Sequence, residues 1–293
     1  MNSVTREAPR PRLIPLSGRG GAMAALEFGP DDRPVDIVFS HANGYNAATY
    51  RSILEPLAGE YRMLALDMRG HGASTLPTVI EGREGWPAFR DDLLALLAAA
   101  CDAPAVLAGH SMGGTASLLA AAAEPARVKA LALFDPVITP PEFQADEELM
   151  RRSPLAQGAA RRRATFPDRQ AVIDAYRGRG GFATWSDEQL ADYVEGGFRE
   201  TPEGDVTLAC RPEWEASNFA THNYDGLKAF RDSRCPIRIL RAAENSTCRI
   251  EGHEAELAAT GRITVETVPG TTHFLPMERP ELVRETLRAV ARA

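Results

Sequence analysis

The chain alternates between short apolar runs and longer segments with helical periodicity, and this alternation narrows the folds open to it. Four segments have a helical pattern: Ala47–Leu57, Trp86–Ala100, Met112–Ala123 and Pro280–Ala291. Six short runs, mostly rich in Val, Ile, Leu and Phe, are typical of strands buried on both faces; they are Val35–Ser40, Arg62–Leu66, Ala105–Ala108, Val128–Phe134, Ile237–Arg241 and Ile263–Val268. Such alternation predicts an α/β fold with a mostly parallel central sheet flanked by helices. Residues 1–20 lack any period, and we expect an irregular lead-in there.

The alternation is interrupted between residues 138 and 227. This segment holds half of the chain's Phe, Trp and Tyr residues, and its pattern predicts helices and loops. A structureless loop of that length is rare inside a compact domain, so we expect a helical cap with its own apolar packing. The predicted division is therefore a core domain of residues 1–137 and 228–293, with residues 138–227 as the cap domain.

Ligands of parallel sheets bind beyond the carboxyl ends of the strands, so functional residues are expected where each strand stops. The strongest such signal is Gly109-His110-Ser111-Met112-Gly113, between a predicted strand and a predicted helix. A serine on this sharp turn exposes its hydroxyl, and the flanking glycines avoid collisions with neighbouring backbone. The helix that follows favours negative charge at its N-terminus. The pattern predicts Ser111 as a nucleophile; the alternative is a glycine-rich connection with an inert serine.

A nucleophilic serine needs a base and an orienting acid. His273 follows the strand Ile263–Val268 through a short turn and is the predicted base, although a histidine there could also be polar surface. Two carboxylates compete for the third role. Asp135 ends one predicted strand and Glu244 follows another, both at the same sheet edge. The alternatives are a turn-forming Asp-Pro pair for Asp135 and a surface carboxylate for Glu244.

Backbone donors for an oxyanion are predicted at two strand ends. The loop Ser40-His41-Ala42-Asn43-Gly44 follows the first buried run, and a tight loop there can direct an N–H group at a developing oxyanion. We choose the N–H of Asn43, with Ala42 as the alternative, and the N–H of Met112 as the second donor. An ordinary turn would explain the same loop without any function.

These features together resemble the α/β-hydrolase family, from about residue 22 onward. The segments that carry the resemblance are Ser40–Gly44 as the oxyanion loop, Gly109–Gly113 as the nucleophile elbow, Gly270–Phe274 as the histidine loop, and Asp67–Gly72 as a structural turn. His71 lies in that turn, and the resemblance implies that it is part of the scaffold. Ala42 departs from the pattern, since glycine is commoner at its position.

A second departure concerns the acid. The family's commonest acid is an Asp after the penultimate strand, where this chain has Asn245. Some members take the acid from the end of the strand that follows the nucleophile helix, where Asp135 lies. The resemblance therefore implies Asp135 as the triad acid, with Glu244 as the alternative.

The implied activity is that of a carboxylesterase-like serine hydrolase that needs no metal and no organic cofactor. An aromatic-rich cap favours small to medium hydrophobic esters. Hydrolysis of C–C bonds, lactone opening and perhydrolysis use the same triad and remain alternatives. A non-catalytic binding protein of this fold is a further alternative, because Asn245 could mark a lost triad member.

Charge and hydropathy exclude other classes. A net charge of −7, from 33 basic and 40 acidic residues, argues against a general nucleic-acid binder. The longest apolar stretches, Leu93–Cys101 and Ala116–Ala123, fall far short of the roughly 20 residues that span a bilayer. No secretion signal is visible at the N-terminus. We expect a cytoplasmic protein whose partner is a small-molecule ester or related carbonyl substrate, with no nucleic-acid or membrane partner. The sequence leaves homo-oligomer formation open.

Overall fold

The computed structural model describes residues 8–139 and 147–292. Eleven strands occur in this part of the chain: β1 (Arg10–Leu16), β2 (Gly21–Phe28), β3 (Ile37–Ser40), β4 (Met63–Asp67), β5 (Ala105–His110), β6 (Val128–Phe134), β7 (Thr165–Phe166), β8 (Phe198–Glu200), β9 (Val206–Leu208), β10 (Ile237–Ala242) and β11 (Ile263–Val268). Eight of them form the main sheet in the order β1-β2-β4-β3-β5-β6-β10-β11.

The main sheet is parallel from β4 to β11, and the pairs β1–β2 and β2–β4 are antiparallel. The predicted α/β fold with a mostly parallel sheet is therefore confirmed. Strand β3 lies between β4 and β5, so the chain proceeds from β3 toward one side of the sheet and returns to continue on the other. Parallel sheets place their ligand sites beside such a reversal.

The antiparallel hairpin β1–β2 was not predicted, and the expected irregular lead-in is wrong for Arg10–Leu16. This strand lies at the sheet edge, where Leu13 is 58% exposed. An edge strand tolerates proline because an N–H facing solvent needs no partner. Pro11 and Pro15, together with this partial burial, obscured the period of two in the sequence.

Twelve α-helices occur among the described residues: α1 (Arg51–Leu54), α2 (Pro87–Ala100), α3 (Met112–Ala123), α4 (Glu147–Arg151), α5 (Pro154–Ala160), α6 (Arg169–Tyr176), α7 (Asp187–Gly197), α8 (Pro212–Ala220), α9 (Gly226–Asp232), α10 (Glu254–Ala259), α11 (Leu275–Glu278) and α12 (Pro280–Arg292). The helix predicted over Ala47–Leu57 is broken, with 3-10 turns at Ala48–Tyr50 and Glu55–Leu57 on either side of α1. Pro56 lacks the N–H that a continuous helix would need there. None of the described helices combines the length and the apolarity that crossing a bilayer requires.

Two apolar clusters fill the two faces of the main sheet, because alternate strand residues point to opposite sides. On β5, Leu107 belongs to one cluster and Ala108 to the other. The first cluster is covered by helices α2, α3, α9 and α10, and the second by α1 and α12. Helices therefore cover both faces of the sheet, so polar functional side chains are expected at its carboxyl edge.

The segment predicted as a cap, residues 138–227, contains a small sheet besides its helices. Strands β7, β9 and β8 pair antiparallel in that order, which corrects the expectation of helices and loops alone. Each strand has only two or three residues, too few to show a period in the sequence. The predicted domain ranges include residues 1–7, 140–146 and 293, which lie outside the described residues.

Part of this segment has its own apolar cluster, and part belongs to the main core. Eight buried residues pack together away from the main sheet: Phe166, Val172, Leu190, Tyr193, Val194, Phe198, Val206 and Leu208. In contrast, Cys210, Trp214 and Tyr224 pack into the cluster under α2 and α3. Helix α8 and the chain after it are thus attached directly to the core.

Candidate active site

Ser111 lies at the turn between β5 and α3 in a strained backbone conformation, with φ 54° and ψ −122°. Gly109 and Gly113, two residues before and after Ser111, have no room for a side chain. A Cβ at Gly113 would lie 2.2 Å from the carbonyl oxygen of Ser40, and one at Gly109 would lie 2.4 Å from the carbonyl carbon of Gly113. The Gly-x-Ser-x-Gly spacing therefore forms the sharp strand-to-helix turn that the sequence predicts.

Three side chains from distant parts of the sequence meet at the carboxyl edge of the sheet. The Nε2 atom of His273 lies 2.9 Å from the Oγ atom of Ser111, and its Nδ1 atom lies 2.7 Å from the Oδ2 atom of Asp135. Ser111 follows β5, Asp135 follows β6, and His273 follows β11. Parallel strands end at one edge, so the fold brings the three loops together.

Asp135 is fully buried and has positive φ, 42°. Burial raises the pKa of this carboxyl group, but hydrogen bonds from His273 and Ser246, with the N–H of Ala242, outweigh it and lower the pKa to about 2. Its Oδ1 atom accepts from the Ser246 hydroxyl at 2.5 Å, and its Oδ2 atom accepts from the N–H of Thr247 at 3.0 Å. The carboxylate is therefore ionised and held in one orientation.

Glu244 does not reach this group. Its side chain is exposed, and its backbone N–H donates to the carbonyl oxygen of Thr271 at 3.0 Å. The neighbouring Asn245 is also exposed. Ser246 and Thr247, which follow it, supply the bonds that orient Asp135, and the sequence analysis missed both. Their hydroxyls beyond the end of β10 were the available signal.

The sequence offers two backbone N–H groups on the loop after β3, those of Ala42 and Asn43, and only one of them is without a partner among the described residues. The N–H of Ala42 donates to the hydroxyl oxygen of Tyr50 at 3.2 Å. Within residues 8–139 and 147–292, the N–H groups of Asn43 and Met112 have no hydrogen-bond partner. The geometry thus leaves Asn43, rather than Ala42, available to a ligand on this loop.

The side chain of Asn43 joins the loop to helix α8, a contact that the sequence analysis did not anticipate. Its Nδ2 atom donates to the carbonyl oxygen of Glu215 at 3.0 Å, and its Oδ1 atom accepts from the Nδ2 atom of Asn218 at 2.9 Å. Arg83 in turn donates to the Oδ1 atom of Asn218 at 2.6 Å. The segment predicted as a cap therefore holds the loop that carries the unoccupied donor.

Two buried histidines support the same loop. His71 donates from Nδ1 to the carbonyl oxygen of Arg69 at 3.0 Å, and its Nε2 atom accepts the N–H of Gly44 at 3.1 Å. Burial lowers the pKa of His71 to about 4. The Nε2 atom of His41 accepts the N–H of Met68 at 2.9 Å. These are contacts of structural histidines, in keeping with the interpretation of His71 as scaffold.

The inserted segment packs against Tyr45 of the core and against the loop that carries His273. The rings of Tyr45 and Trp185 lie 5.3 Å apart, centroid to centroid, and Tyr45 lies 6.3 Å from the ring of His110. A Cβ at Gly181 would lie 2.8 Å from the ring of Phe274, so this part of the segment packs against the residue after His273.

No group of three or more His, Cys, Asp or Glu side chains in the described part of the chain could hold a metal ion.

Comparisons with known proteins agree with this architecture. The chain is 27% identical to 2-(acetamidomethylene)succinate hydrolase from Mesorhizobium japonicum over 261 residues, 87% of this chain and 86% of that protein. It is 37% identical to pimeloyl-[acyl-carrier protein] methyl ester esterase from Chromobacterium violaceum over 113 residues, 38% of this chain and 40% of that protein. The crystal structure of E-2-(acetamidomethylene)succinate hydrolase superposes with a TM-score of 0.78 at 24% identity, over 97% of this chain and 100% of the other.

The family model of the alpha/beta hydrolase family matches residues 37–286, which include every strand of the main sheet after the N-terminal hairpin. That span also includes Ser111, Asp135 and His273. The chain therefore belongs to the α/β-hydrolase family and is a hydrolase of that fold.

Proposed function

We propose that this protein is a serine hydrolase that cleaves carboxylic esters through an acyl-enzyme formed on Ser111. The observation that carries the proposal is the pair of short contacts on either side of one imidazole. His273 lies 2.9 Å from the Ser111 hydroxyl and 2.7 Å from the Asp135 carboxylate. Nucleophile, base and orienting acid at these distances are the requirements of serine catalysis.

The proton positions follow from the ionised Asp135. A carboxylate only accepts, so the Nδ1 atom of His273 carries a hydrogen and its Nε2 atom is free to accept the Ser111 proton. Ser111 attacks the carbonyl carbon while His273 takes that proton. The imidazolium, stabilised by Asp135, then protonates the leaving alcohol. Water activated by His273 finally releases the acid and restores Ser111.

The negative charge of the tetrahedral intermediate needs donors that are free before the reaction begins. We assign this role to the N–H groups of Asn43 and Met112, which have no partner among the described residues. Met112 begins helix α3, whose N-terminal end favours negative charge. The hydrogen bonds between Asn43 and helix α8 then position one of the two donors.

The proposed substrates are small to medium hydrophobic esters, with the segment 138–227 acting as a cap. The aromatic rings of Tyr45, Phe182 and Trp185 near the His273 loop support this choice. The partial similarity to a methyl ester esterase also supports it. We also propose that the protein's partner is a small-molecule substrate and that the protein is located in the cytoplasm.

A second candidate function comes from a relative that matches 87% of the chain, the hydrolase from Mesorhizobium japonicum. Its name states that it hydrolyses a substituted succinate, which carries two carboxylates. Such a substrate would require unpaired positive charge near the site. Arg162 is the basic side chain nearest Gly44, but Glu215 already binds its Nη1 atom at 2.5 Å. Its charge is balanced. Arg83, which donates to Asn218, forms no ion pair within the described residues and is the cation that such a substrate would use. We place the neutral ester first because of the aromatic rings beside the His273 loop.

The decisive experiment replaces the nucleophile. Ser111→Ala should lower kcat by several orders of magnitude on p-nitrophenyl esters. It should also abolish labelling by an organophosphonate, read as the mass of the intact protein. Ser117→Ala is the matched control, because this buried serine lies in helix α3, which follows Ser111, and its hydroxyl donates to the carbonyl oxygen of Gly113. Full esterase activity in purified Ser111→Ala would overturn the proposal.

A panel of substrates separates the two candidate functions. It contains p-nitrophenyl esters of rising acyl length and an enamide of succinate. Higher kcat/KM on the esters supports the first candidate. Turnover of the succinate derivative alone, still dependent on Ser111, would replace it with the second.

A further inference from the structure

Two buried residues outside the proposed catalytic group connect the loops that carry it. Tyr50 ends the 3-10 turn at Ala48–Tyr50, and His110 is the last residue of β5; both are fully buried. The hydroxyl of Tyr50 lies 2.8 Å from the Nδ1 atom of His110 and accepts the N–H of Ala42 at 3.2 Å. The Nε2 atom of His110 lies 2.7 Å from the carbonyl oxygen of His273.

We propose that Tyr50 and His110 form a neutral hydrogen-bond relay that positions the oxyanion loop and His273 relative to Ser111. The inference rests on the function proposed above. Both are positioning residues, since they hold the backbones of Ala42 and His273 and do not touch the substrate.

Only one arrangement of protons satisfies all three contacts. The carbonyl oxygen of His273 can only accept, so the Nε2 atom of His110 carries the hydrogen and donates it. The Nδ1 atom of a neutral imidazole is then an acceptor, and the Tyr50 hydroxyl donates to it. The oxygen of Tyr50 is left to accept the N–H of Ala42. The relay therefore runs in one direction, from the oxyanion loop to the histidine loop.

The relay must be uncharged for a second reason. The rings of His110 and His273 lie 4.9 Å apart, centroid to centroid. A charged His110 would therefore oppose the imidazolium that His273 becomes during the reaction. Burial and the nearby His273 lower the pKa of His110 to about 3, so His110 is neutral at neutral pH.

The relay also selects the oxyanion donor. The Tyr50 hydroxyl accepts the N–H of Ala42 and so orients the His41–Ala42 peptide, one peptide bond before the one that carries the N–H of Asn43. The next N–H along the loop, that of Asn43, is left without a partner among the described residues. Losing the hydroxyl removes this restraint on Ala42, and we expect the next residue along the loop, with the donor that we assign to Asn43, to be less well aligned.

The test is Tyr50→Phe, which removes one oxygen and keeps the ring that packs 4.6 Å from Phe39. We expect kcat to fall on the order of 10- to 100-fold with KM little changed, because a small misplacement of reacting groups costs rate. Affinity for an alkylboronic acid, which mimics the tetrahedral state, should fall by a similar factor. A purely structural defect would not weaken the boronate selectively over the substrate.

Tyr61→Phe is the matched control, a buried tyrosine of the same face whose hydroxyl has no hydrogen bond in the described part of the chain. It should keep the kcat and boronate affinity of the wild type. On the other side of the relay, His110→Gln retains a donor for the carbonyl of His273 and should keep more activity than His110→Leu. Circular dichroism and thermal melting monitor the fold of each variant.

The outcomes separate the two proposals. If the wild type neither hydrolyses esters nor labels at Ser111, the proposed function fails and the relay fails with it. If the wild type is active and folded Tyr50→Phe keeps kcat and boronate affinity within about twofold, the relay alone is wrong. Should the His110 variants not fold, the Tyr50→Phe result still decides.

Discussion

The loops at the carboxyl edge of the main sheet and the inserted segment contact each other at Asn43 and at Phe274, yet they are held in different ways. At the sheet edge, positions are set by hydrogen bonds and strained backbone: Asp135 accepts from three neighbours besides His273, and Ser111 and Asp135 both have positive φ. The inserted segment has, besides the hydrogen bonds from helix α8, a cluster of packed rings such as Tyr176 stacked 4.9 Å from Phe182. Hydrogen bonds are directional whereas apolar packing is not, so the edge defines precise geometry and the segment defines shape.

This difference predicts that changes at the sheet edge lower kcat and that changes in the inserted segment raise KM. Asp135→Asn tests the edge most severely. An amide in place of the carboxylate favours the wrong tautomer of His273, and such a change costs about 10⁴-fold in kcat. Steady-state kinetics on a short ester measures it. Glu244→Gln is the matched control and should stay near the wild type. The reverse ranking would assign the acid to Glu244 and remove Asp135 from the mechanism.

The loss of folding stability at low pH can be compared between one histidine at the sheet edge and one in the inserted segment. Burial lowers the pKa of His71, at the edge, and of His222, between Trp86 and Tyr224 in the segment, to about 4. Above about pH 6.5 neither folded nor unfolded protein binds these protons. Between about pH 6.5 and 4 only the unfolded protein does, so stability is lost as the pH falls. Each residue contributes up to about tenfold per pH unit in the unfolding constant.

Denaturant titrations at several pH values measure this loss. His71→Asn and His222→Gln should each flatten the pH dependence by about one proton between pH 6.5 and 4. At pH 8 any change in stability comes from lost packing and hydrogen bonds and not from proton binding, which serves as the internal control. An unchanged slope in either variant would mean that the histidine concerned is already protonated in the folded protein.

Asn218→Ala tests the junction between the two regions. This fully buried amide joins Arg83 to Asn43, and its loss leaves both without that partner. We expect a loss of stability of about 1–3 kcal/mol and a roughly tenfold fall in kcat, since the proposed oxyanion loop loses its anchor. Gln170→Ala, on an exposed helix position, is the control. A fall in KM alone, or no kinetic change, would show that the anchor does not position Asn43.

The smallest effect is expected within the ring cluster. Phe182→Ala shortens a side chain that contacts Tyr176 and Trp185 and touches none of Ser111, His273 or Asp135. KM for long-chain esters should rise a few-fold while kcat stays within about threefold, because lost apolar surface weakens binding. The acyl-length panel measures this. A larger effect on kcat than on KM would contradict the division of roles between the two regions.

The centre of the main sheet could be predicted from the sequence because strands such as β3, β4 and β5 are buried on both faces. The edge strand β11 could be predicted from its Val and Ile residues, although only Ile263 and Val268 are buried. The runs at Val128–Phe134 and Ile263–Val268 have the bounds observed for β6 and β11, and helix α3 has the predicted bounds. Strand β1 was missed, since an edge strand with two prolines carries no continuous apolar run. Strand β2 was missed although Ala22–Leu26 is an apolar run. The small sheet of the inserted segment was missed because its strands are shorter than any readable period.

The residues of the site also fall into those that the sequence could predict and those that it could not. Ser111 could be selected because the Gly-x-Ser-x-Gly spacing is a local requirement of the turn, and His273 because it follows a recognisable strand. The choice between Asp135 and Glu244 stayed open from the residues, since it depends on where two loops about 100 residues apart place their side chains. Ser246, which bonds Asp135 across 111 positions, had only one local signal, a hydroxyl beyond the end of β10, and nothing in the sequence shows which side chain it would meet.

Local sequence, then, was enough to define the strand–helix alternation and the strained serine turn, because neighbours along the chain impose both. Which carboxylate faces the imidazole, which N–H of the Ala42–Asn43 pair is left free, and which tyrosine occupies the other were decided only by folding. Those choices depend on hydrogen bonds of a few ångströms between segments far apart in sequence, and a bond of that kind exists only once the sheet has brought its strand ends together.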